Sequence, residues 1–426
     1  MNTSLTIRLL AFASLICCAS AQAAELRGHG GPVRAISVVA DGKTAITGSF
    51  DSKAIVWSLE TGAAREVLLF HSGQVNTVAI LPDSRVATAG ADGRIAIWKI
   101  GQSAPDTVLE GHVAPVAALA VSPDGSTLAS ASWDTTVRLW PLSGGESRIL
   151  EGHRGNVDAV AFLSDGTPVS AGYDASVIFW PRGDGSPVRI AMPAPVGALA
   201  SLGDHLLAGS ADGKVRMLDS TGKTLAETEI SARPVTALAA SRDGKYAAAA
   251  GVNDQIILLD AANLKAVRTL DTTGAALWSL AFVPGAGTLL GGGADRLVRE
   301  WDLETGERLG NAVADQTDPM AEYAGNPDAE VFRACIACHT LDPDDGNRAG
   351  PTLHGIFGRR IASAPGYDYS PAFRGMDIVW TPETVSKLFE VGPTRYTPGT
   401  KMPEQVIRDP EDRSALIRFL QAETGG

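Results

Sequence analysis

The larger, N-terminal part of the chain is dominated by short runs in which apolar and polar residues alternate. Asp-Gly pairs and similar turns separate the runs, as at Pro123-Asp124-Gly125, and many units end in tryptophan, as at Trp140. Alternation with a period of two predicts β-strands that bury one face, and the glycine-containing pairs mark the turns between them. We therefore expect this part of the chain to be all-β.

The strands recur in units of about 40 residues, the length of one four-stranded propeller blade. Five tryptophans and two leucines occupy the equivalent position near the end of each unit, and successive ones are separated by 38 to 42 residues. They are Trp57, Trp98, Trp140, Trp180, Leu218, Leu259 and Trp301. This periodicity predicts seven blades.

The first four units resemble the WD-repeat β-propeller family. Each has a histidine near its start, a serine or threonine in the second strand, an aspartate after that strand and a final tryptophan. The resemblance covers residues 24–313 and implies that these four side chains form a hydrogen-bonded tetrad within each blade. The tetrads are His29, Thr47, Asp51 and Trp57; His71, Thr88, Asp92 and Trp98; His112, Ser130, Asp134 and Trp140; His153, Ser170, Asp174 and Trp180.

The last three units depart from this pattern. None has the histidine, and Asn253 replaces the aspartate of the sixth unit. Their strands still alternate, so we expect the ring to continue with weaker internal polar networks. For ring closure we expect residues 24–27 to supply the outer strand of the last blade. Residues 307–313 compete for that place but contain Gly310 and Asn311, which are poor strand residues.

A separate signal follows the repeats, where residues 335–339 read C-x-x-C-H. This spacing attaches a c-type haem through two thioethers, and its histidine ligates the iron. No second cysteine pair is present to complete a zinc site, and no thioredoxin-like strand–helix unit surrounds the motif. The motif predicts one covalently attached haem c, with Cys335 and Cys338 holding it and His339 as an iron ligand.

Residues 326–426 resemble the mitochondrial-type class I cytochromes c, which implies an all-α domain. The resemblance rests on the haem motif, on residues 350–359 and 364–370, and on Trp380 and residues 398–402. It implies that Met402 is the second axial ligand and that the carbonyl oxygen of Pro351 holds the other nitrogen of His339. It further implies contacts to the haem propionates from Arg359, Tyr369, Trp380 and Thr400.

The residues themselves also favour Met402, because it follows a Pro-Gly turn in a loop, whereas Met320 lies in the linker and Met376 lacks such a turn. A buried core methionine is the alternative interpretation. Ligation by histidine and methionine would fill both axial positions and favour electron transfer over oxygen chemistry. Residues 325–426 carry 11 Lys and Arg against 14 Asp and Glu, so the basic docking ring of the familiar mobile carriers is absent.

The remaining segments frame these two domains. Residues 1–23 read as a secretory signal peptide, and no other segment is apolar enough to cross a membrane, so we expect a periplasmic protein. The net charge of −12 argues against nucleic acid as a partner and favours a basic one. Residues 314–325 read as a polar, proline-punctuated linker. Helices are predicted to start at Asn326 and at Asp409.

The propeller offers a candidate surface for a protein partner. In a propeller, the loop after the second strand and the start of the first strand open on the same face. At these places the sequence has Arg34, Phe50, Trp133, Tyr173 and Trp278. Arginine and aromatic residues are enriched in interface hot spots. Ordinary packing of large side chains against adjacent loops is the alternative.

Three functions are compatible with these observations. The leading hypothesis is a periplasmic electron carrier, not itself an enzyme, whose propeller docks it to a redox protein that donates or accepts electrons. A second hypothesis makes the propeller a catalytic domain that passes electrons to the haem, although its tetrad histidines leave few spare ligands. A third makes the protein a haem-based sensor or peroxidase, which requires an open axial position.

Overall fold

Seven four-stranded antiparallel sheets follow one another in the structure, which is a computed structural model of the chain. The described residues are 25–251, 255–272, 276–309, 320, 323, 325–333, 335–336, 339–342, 350–367, 369, 371–398, 400, 402 and 406–425. The predicted signal peptide, most of the predicted linker and Cys338 lie outside these ranges.

Each sheet is one blade, and its first strand is the innermost. Blades 1 and 2 contain β2 (Val33–Val38), β3 (Thr44–Ser49), β4 (Lys53–Ser58), β5 (Ala64–Leu69), β6 (Val75–Ile80), β7 (Val86–Gly90), β8 (Ile95–Trp98) and β9 (Thr107–Leu109). Blades 3 and 4 contain β10 (Val116–Val121), β11 (Thr127–Ser132), β12 (Thr136–Pro141), β13 (Arg148–Glu151), β14 (Val157–Phe162), β15 (Pro168–Gly172), β16 (Ser176–Phe179) and β17 (Val188–Ala191). Blades 5 to 7 contain β18 (Val196–Leu202), β19 (His205–Ser210), β20 (Lys214–Leu218), β21 (Thr224–Glu229), β22 (Val235–Ala240), β23 (Tyr246–Gly251), β24 (Gln255–Asp260), β25 (Ala266–Asp271), β26 (Leu277–Val283), β27 (Thr288–Gly293) and β28 (Val298–Asp302).

The hydrophobic core lies between the blades. Ile46 and Val56 of blade 1, for example, pack in one cluster with Val75 and Val78 of blade 2. The innermost strands of successive blades contact each other around the ring, and β26 of the last blade contacts β2 of the first. Each blade thus buries one of its faces against each neighbour, so no blade completes a core by itself.

The N-terminal segment closes the ring, as predicted. Strand β1 (Glu25–Leu26) pairs antiparallel with β28, placing Glu25 opposite Arg299. The competing C-terminal segment adds only an isolated bridge between Trp301 and Arg308. The outer strand of blade 7 therefore comes from the start of the chain and removes an open sheet edge.

All four predicted tetrads form. In blade 3, Trp140 Nε1 donates to Ser130 Oγ at 2.8 Å, and the serine lies 2.7 Å from His112 Nε2. His112 Nδ1 donates to Asp134 at 2.7 Å. The equivalent contacts in blades 1, 2 and 4 measure 2.7 to 3.1 Å. Each chain of bonds leads from an inner strand to the aspartate turn and ties three parts of one blade together.

Blades 5 and 7 correct the expectation of weak polar networks. Arg216, which is 4% exposed, donates to both carboxylate oxygens of Asp212, and its Nε donates to Glu227 at 3.1 Å. Arg299 likewise lies four residues after Asp295 and donates to one of its carboxylate oxygens. Forked pairing of a guanidinium with a carboxylate is among the stronger hydrogen-bonded contacts in proteins. An arginine from the third strand thus takes over the role of the missing histidine.

Among the described residues, the C-terminal part forms the α-helices α1 (Pro382–Val391), α2 (Pro393–Tyr396) and α3 (Pro410–Glu423). The predicted start of α3 is confirmed, since Asp409 caps it and Leu416, Phe419 and Leu420 are buried. The helix predicted from Asn326 is wrong for the described residues, which form only a 3₁₀ turn over Ala329–Phe332. None of the described helices is long and apolar enough to cross a membrane.

Hydrophobic packing still joins the two ends of this part of the chain. Phe332 of the 3₁₀ turn lies 5.1 Å from Phe419 of α3, measured between ring centroids, and Tyr323 packs edge-on against the same ring. Asp328 and Arg418 form an ion pair at 2.7 Å on the surface above them. Helix α1 was not predicted, although Thr381 and Thr384 form a capping box at its start.

We expect Ser130→Ala to destabilise the propeller by about 1–3 kcal/mol, because it leaves the buried Trp140 and His112 nitrogens without their shared partner. Ser130→Thr is the matched control, since the first two blades use threonine at this position. Urea unfolding of the full-length protein, followed by far-ultraviolet circular dichroism, measures the difference. Equal midpoints for the alanine variant and the natural protein would show that the tetrad contributes no net stability.

We also expect the propeller to lose stability as the pH falls below about 6.5, the ordinary histidine pKa. Burial lowers the pKa of His71, His112 and His153, despite the opposing effect of their aspartate partners. The unfolded chain therefore binds protons at these histidines before the folded chain does, and acid favours unfolding. The urea midpoint should be lower at pH 5.5 than at pH 7.5; a midpoint that does not change would contradict this account.

Candidate functional site

A cavity that is partly open to solvent lies in the C-terminal part of the chain. Phe332, Leu388, Leu416 and Leu420 form apolar walls, so the helices and the 3₁₀ turn enclose it. It also brings together every described residue that was predicted to contact haem. These are Cys335, His339, Pro351, Arg359, Tyr369, Trp380, Thr400 and Met402.

The orientation of His339 is set by the backbone next to it. Its Nδ1 donates to the carbonyl oxygen of Pro351 at 2.7 Å, the contact that the cytochrome resemblance implies. A carbonyl oxygen can only accept, so Nδ1 carries the proton and Nε2 carries the lone pair that a metal requires. A Cβ at Gly350 would lie 2.4 Å from the ring of His339. Glycine is therefore needed for the ring to occupy this position.

The turn that carries the cysteine motif is held by short backbone bonds. The amide of Cys335 donates to the carbonyl oxygen of Phe332 at 2.7 Å, and the amide of His339 donates to that of Cys335 at 3.0 Å. Cys335 is 6% exposed and lines the cavity. Cys338 lies outside the described residues, so its predicted bond to haem stays a prediction.

Met402 reaches the cavity from a different segment of the chain. Its amide donates to Thr400 Oγ1 at 3.0 Å, and Thr400 is buried and also lines the cavity. A polarisable thioether and an imidazole in one apolar cavity are a fitting donor set for a haem iron. The thiol of Cys335 fits covalent attachment in the same place. The residues present thus match the group that the motif predicts.

The residues predicted to hold the propionates include two polar side chains, Arg359 and Tyr369, whose contacts in the cavity lining are defined. Arg359 donates to the carbonyl oxygens of Thr352 at 2.6 Å and His354 at 3.0 Å. The hydroxyl of Tyr369 accepts from the amide of Ala364 at 3.2 Å. Burial raises the pKa of Tyr369 and lowers that of Arg359. Both side chains are thus partly withdrawn from water. Hydrogen bonds to carboxylate groups are stronger in such an environment than in water.

Sequence reasoning missed several lining residues. Tyr367 and Phe373 flank Tyr369, and their aromatic character in a short loop was the available signal. The first blade also contributes Gly28, Lys53, Ile55 and Val67 to the lining. Nothing in the sequence around these four residues indicates a haem contact, because they lie far from the haem segment along the chain.

The predicted partner-binding residues of the propeller separate into two groups. Phe50 and Trp278 pack with ring centroids 5.2 Å apart, and Arg34 donates to the carbonyl oxygen of Trp278 at 3.1 Å. On the other side of the ring, Trp133 Nε1 donates to Asp158 at 3.0 Å, and Tyr173 is 71% exposed. Packing thus accounts for the first group, whereas the second remains accessible. Asp158 was not among the predicted residues.

The fold and this site define a propeller of WD repeats joined to a haem-binding segment. Residues 20–58, 65–99, 103–141 and 144–181 match the family described as WD domain, G-beta repeat, and these are the four blades with complete tetrads. Cytochrome c of Cochliobolus lunatus is 43% identical over 97 residues, which are 22% of this chain and 89% of that protein. Cytochrome c of Arabidopsis thaliana is also 43% identical over 97 residues, covering 22% and 86%. Cytochrome c type-1 of Ascaris suum is 42% identical over 108 residues, covering 25% and 91%. The chain therefore belongs to the cytochrome c family through this segment, and its cofactor is haem.

We expect Gly350→Ala to displace the His339 ring, because a side chain at this position overlaps it. The purified variant should contain less haem per chain, and its absorption spectrum should show altered axial ligation. Gly375→Ala is the control, since a Cβ there meets nothing within 4 Å. Haem content and spectra equal to those of the natural protein would mean that the ring position does not depend on Gly350.

Proposed function

We propose that the protein is a periplasmic c-type cytochrome that transfers single electrons, with its propeller as the platform for a redox partner. The observation that carries the proposal is the convergence of Cys335, His339 and Met402 on one cavity in a segment of cytochrome c ancestry. Cys335 and His339 belong to one motif, and Met402 joins them from 63 residues further along the chain. A core methionine needs no imidazole or thiol beside it, so the shared cavity favours ligation.

The proposal assigns each residue a definite task. Cys335 and Cys338 would attach one haem c covalently, and His339 and Met402 would be the ligands of its iron. When bound, this group accepts and releases one electron without a change of bonds. Pro351 keeps the proton of His339 on Nδ1, which orients the imidazole and increases its basicity toward a metal.

The surrounding residues tune the site. Arg359, Tyr369, Trp380 and Thr400 face the propionates in the proposed arrangement, and the apolar walls keep water away from the ligands. Phe389 is buried in the lining. It cannot donate the hydrogen bond that a tyrosine would offer to the methionine sulfur. Exclusion of water, the choice of axial ligands and hydrogen bonds to those ligands are among the means by which a protein sets a haem potential.

The fold of the haem segment and the route of export complete the proposal. We infer the all-α class I arrangement for residues 326–426 from the helices α1 and α3 and from the identity to cytochromes c. The leader supports export by a cleaved signal peptide, and c-type attachment outside the inner membrane agrees with it. The segment is net acidic, so its partners differ in charge from those that suit a basic carrier.

The propeller supports docking in this proposal. Tethering a carrier to a docking platform through a short linker raises its effective concentration at the partner into the millimolar range. Trp133 and Tyr173 are large aromatic side chains that the fold leaves exposed. Such side chains are typical anchors of protein interfaces.

The test of the proposal is the Met402→Ala variant. It should lose the weak charge-transfer band of sulfur-ligated ferric haem, and its midpoint potential should fall substantially within the roughly 0.8 V range that axial ligands span. Spectroelectrochemical titration of the purified protein measures both and should give a one-electron curve for the natural chain. Met376→Leu is the matched control outside the cavity lining. A potential that Met402→Ala leaves unchanged would exclude methionine ligation and, with it, the proposed carrier.

A further inference from the structure

Every blade has a β-bulge at the same place on its innermost strand. In each blade the register between the first and second strands shifts by one residue immediately after the first paired residue. The seven extra residues are Arg34, Asn76, Ala117, Asp158, Gly197, Thr236 and Trp278. A bulge changes the direction of a side chain, and bulges are common next to functional sites. The bulges thus define a ring of seven positions at one mouth of the central channel.

Three members of this ring tie neighbouring blades together. Arg34 donates to the carbonyl oxygen of Trp278 at 3.1 Å, and Asn76 donates to that of Val116 at 3.0 Å. Thr236 donates to the carbonyl oxygen of Leu277 at 2.6 Å. Each of these bonds crosses from one blade to the next. The role of these three polar side chains is therefore to join neighbouring blades of the ring.

Asp158 has a different environment. Its one hydrogen bond within the described part of the chain comes from Trp133 Nε1 at 3.0 Å. Burial raises the pKa of Asp158, although Trp133 and the charge of Arg34 act in the opposite direction. Its two neighbours in the ring, Ala117 and Gly197, have the smallest side chains of the seven. Space is thus left on both sides of a carboxylate that is partly withdrawn from water.

Trp133 contacts this carboxylate, and a second exposed aromatic residue, Tyr173, belongs to the same blade as Asp158. Trp133 is 47% exposed and Tyr173 is 71% exposed, and each directly precedes the tetrad aspartate of its blade. Their backbone amides donate to Pro115 and Asn156 at 3.0 and 2.9 Å, which holds the loops in place. The aromatic faces are therefore presented on a rigid frame, with little entropy to lose when a partner binds.

We propose that Trp133, Asp158 and Tyr173, together named the Asp158 notch, bind a lysine or arginine side chain of a partner protein. A cation beside Asp158 offsets the cost of holding this carboxylate away from water. Aromatic faces attract cations as well, which favours a basic over a neutral side chain. The inference rests on the proposed docking role of the propeller and specifies the chemistry that the propeller recognises.

Charge supports the same occupant. Arg34 is the one cation among the seven bulge residues, and its Nη1 donates to the carbonyl oxygen of Trp278. The net charge of −12 attracts basic proteins to the whole surface, and the notch then selects where a basic side chain inserts.

The experiment uses an array of immobilised short peptides of random sequence, probed with the full-length, haem-loaded protein at physiological salt. Peptides that bind should be enriched in arginine or lysine, and substitution of that residue by citrulline or glutamine should remove binding. Asp158→Asn should weaken binding of the selected peptides by about tenfold, the value of one hydrogen bond to a charged group. Tyr173→Ala, a change at an exposed side chain, should weaken the same peptides.

Asp184→Asn is the matched control, because it removes the same charge from an exposed loop at the opposite end of blade 4. If bound peptides show no basic enrichment, or if Asp158→Asn and Asp184→Asn bind alike, the inference is overturned. Thermal unfolding of each variant establishes that the ring is intact. A normal one-electron titration together with a failed peptide selection would reject the notch and leave the electron-transfer proposal standing.

Discussion

Closure of the ring is the constraint on which the rest of the propeller depends. A blade buries its faces only against its neighbours, so an open ring would expose two apolar faces and a strand edge. Pairing of Glu25 with Arg299 prevents this by joining the start of the repeat region to its end. Arg299 also pairs with Asp295 inside the same blade. Arg299 thus lies opposite the closing strand β1 and also forms the ion pair inside blade 7.

The polar networks inside the blades hold the turn after the second strand in two different ways. Each blade has a turn between its second and third strands that must be tied to the strands beneath it. The first four blades use a chain from tryptophan through serine or threonine and histidine to aspartate. Blades 5 and 7 replace the histidine with Arg216 or Arg299, whose guanidinium reaches the aspartate from the third strand. The family match ends after the fourth blade, while the architecture continues through the seventh.

In the haem segment, a few backbone features determine the position and the protonation of His339. One backbone carbonyl, that of Pro351, determines which nitrogen of His339 can bind a metal, and Gly350 leaves room for the ring. The methionine comes from one segment and the histidine and cysteine from another, and the fold brings both segments to one cavity. The propeller and the haem segment thus divide the work: one presents a rigid surface, and the other holds a cofactor.

The sequence alone was enough to predict the blades, the four tetrads and the closing strand, because these depend on local spacing and repeat length. It also pointed to residues of the haem segment that the structure brings to one cavity. The sequence could not predict the ion pairs of Arg216 and Arg299. An arginine on a strand is expected at the surface, and only the structure shows the carboxylate beside it. In place of the helix expected from Asn326, the described residues form a 3₁₀ turn over Ala329–Phe332 that has no side-chain cap. Only the tertiary structure set Asp158 beside Trp133, which lies 25 residues earlier and in a different blade. It alone also placed residues of the first blade in the lining of the haem cavity, since contacts between distant segments depend on how the whole ring and helices assemble.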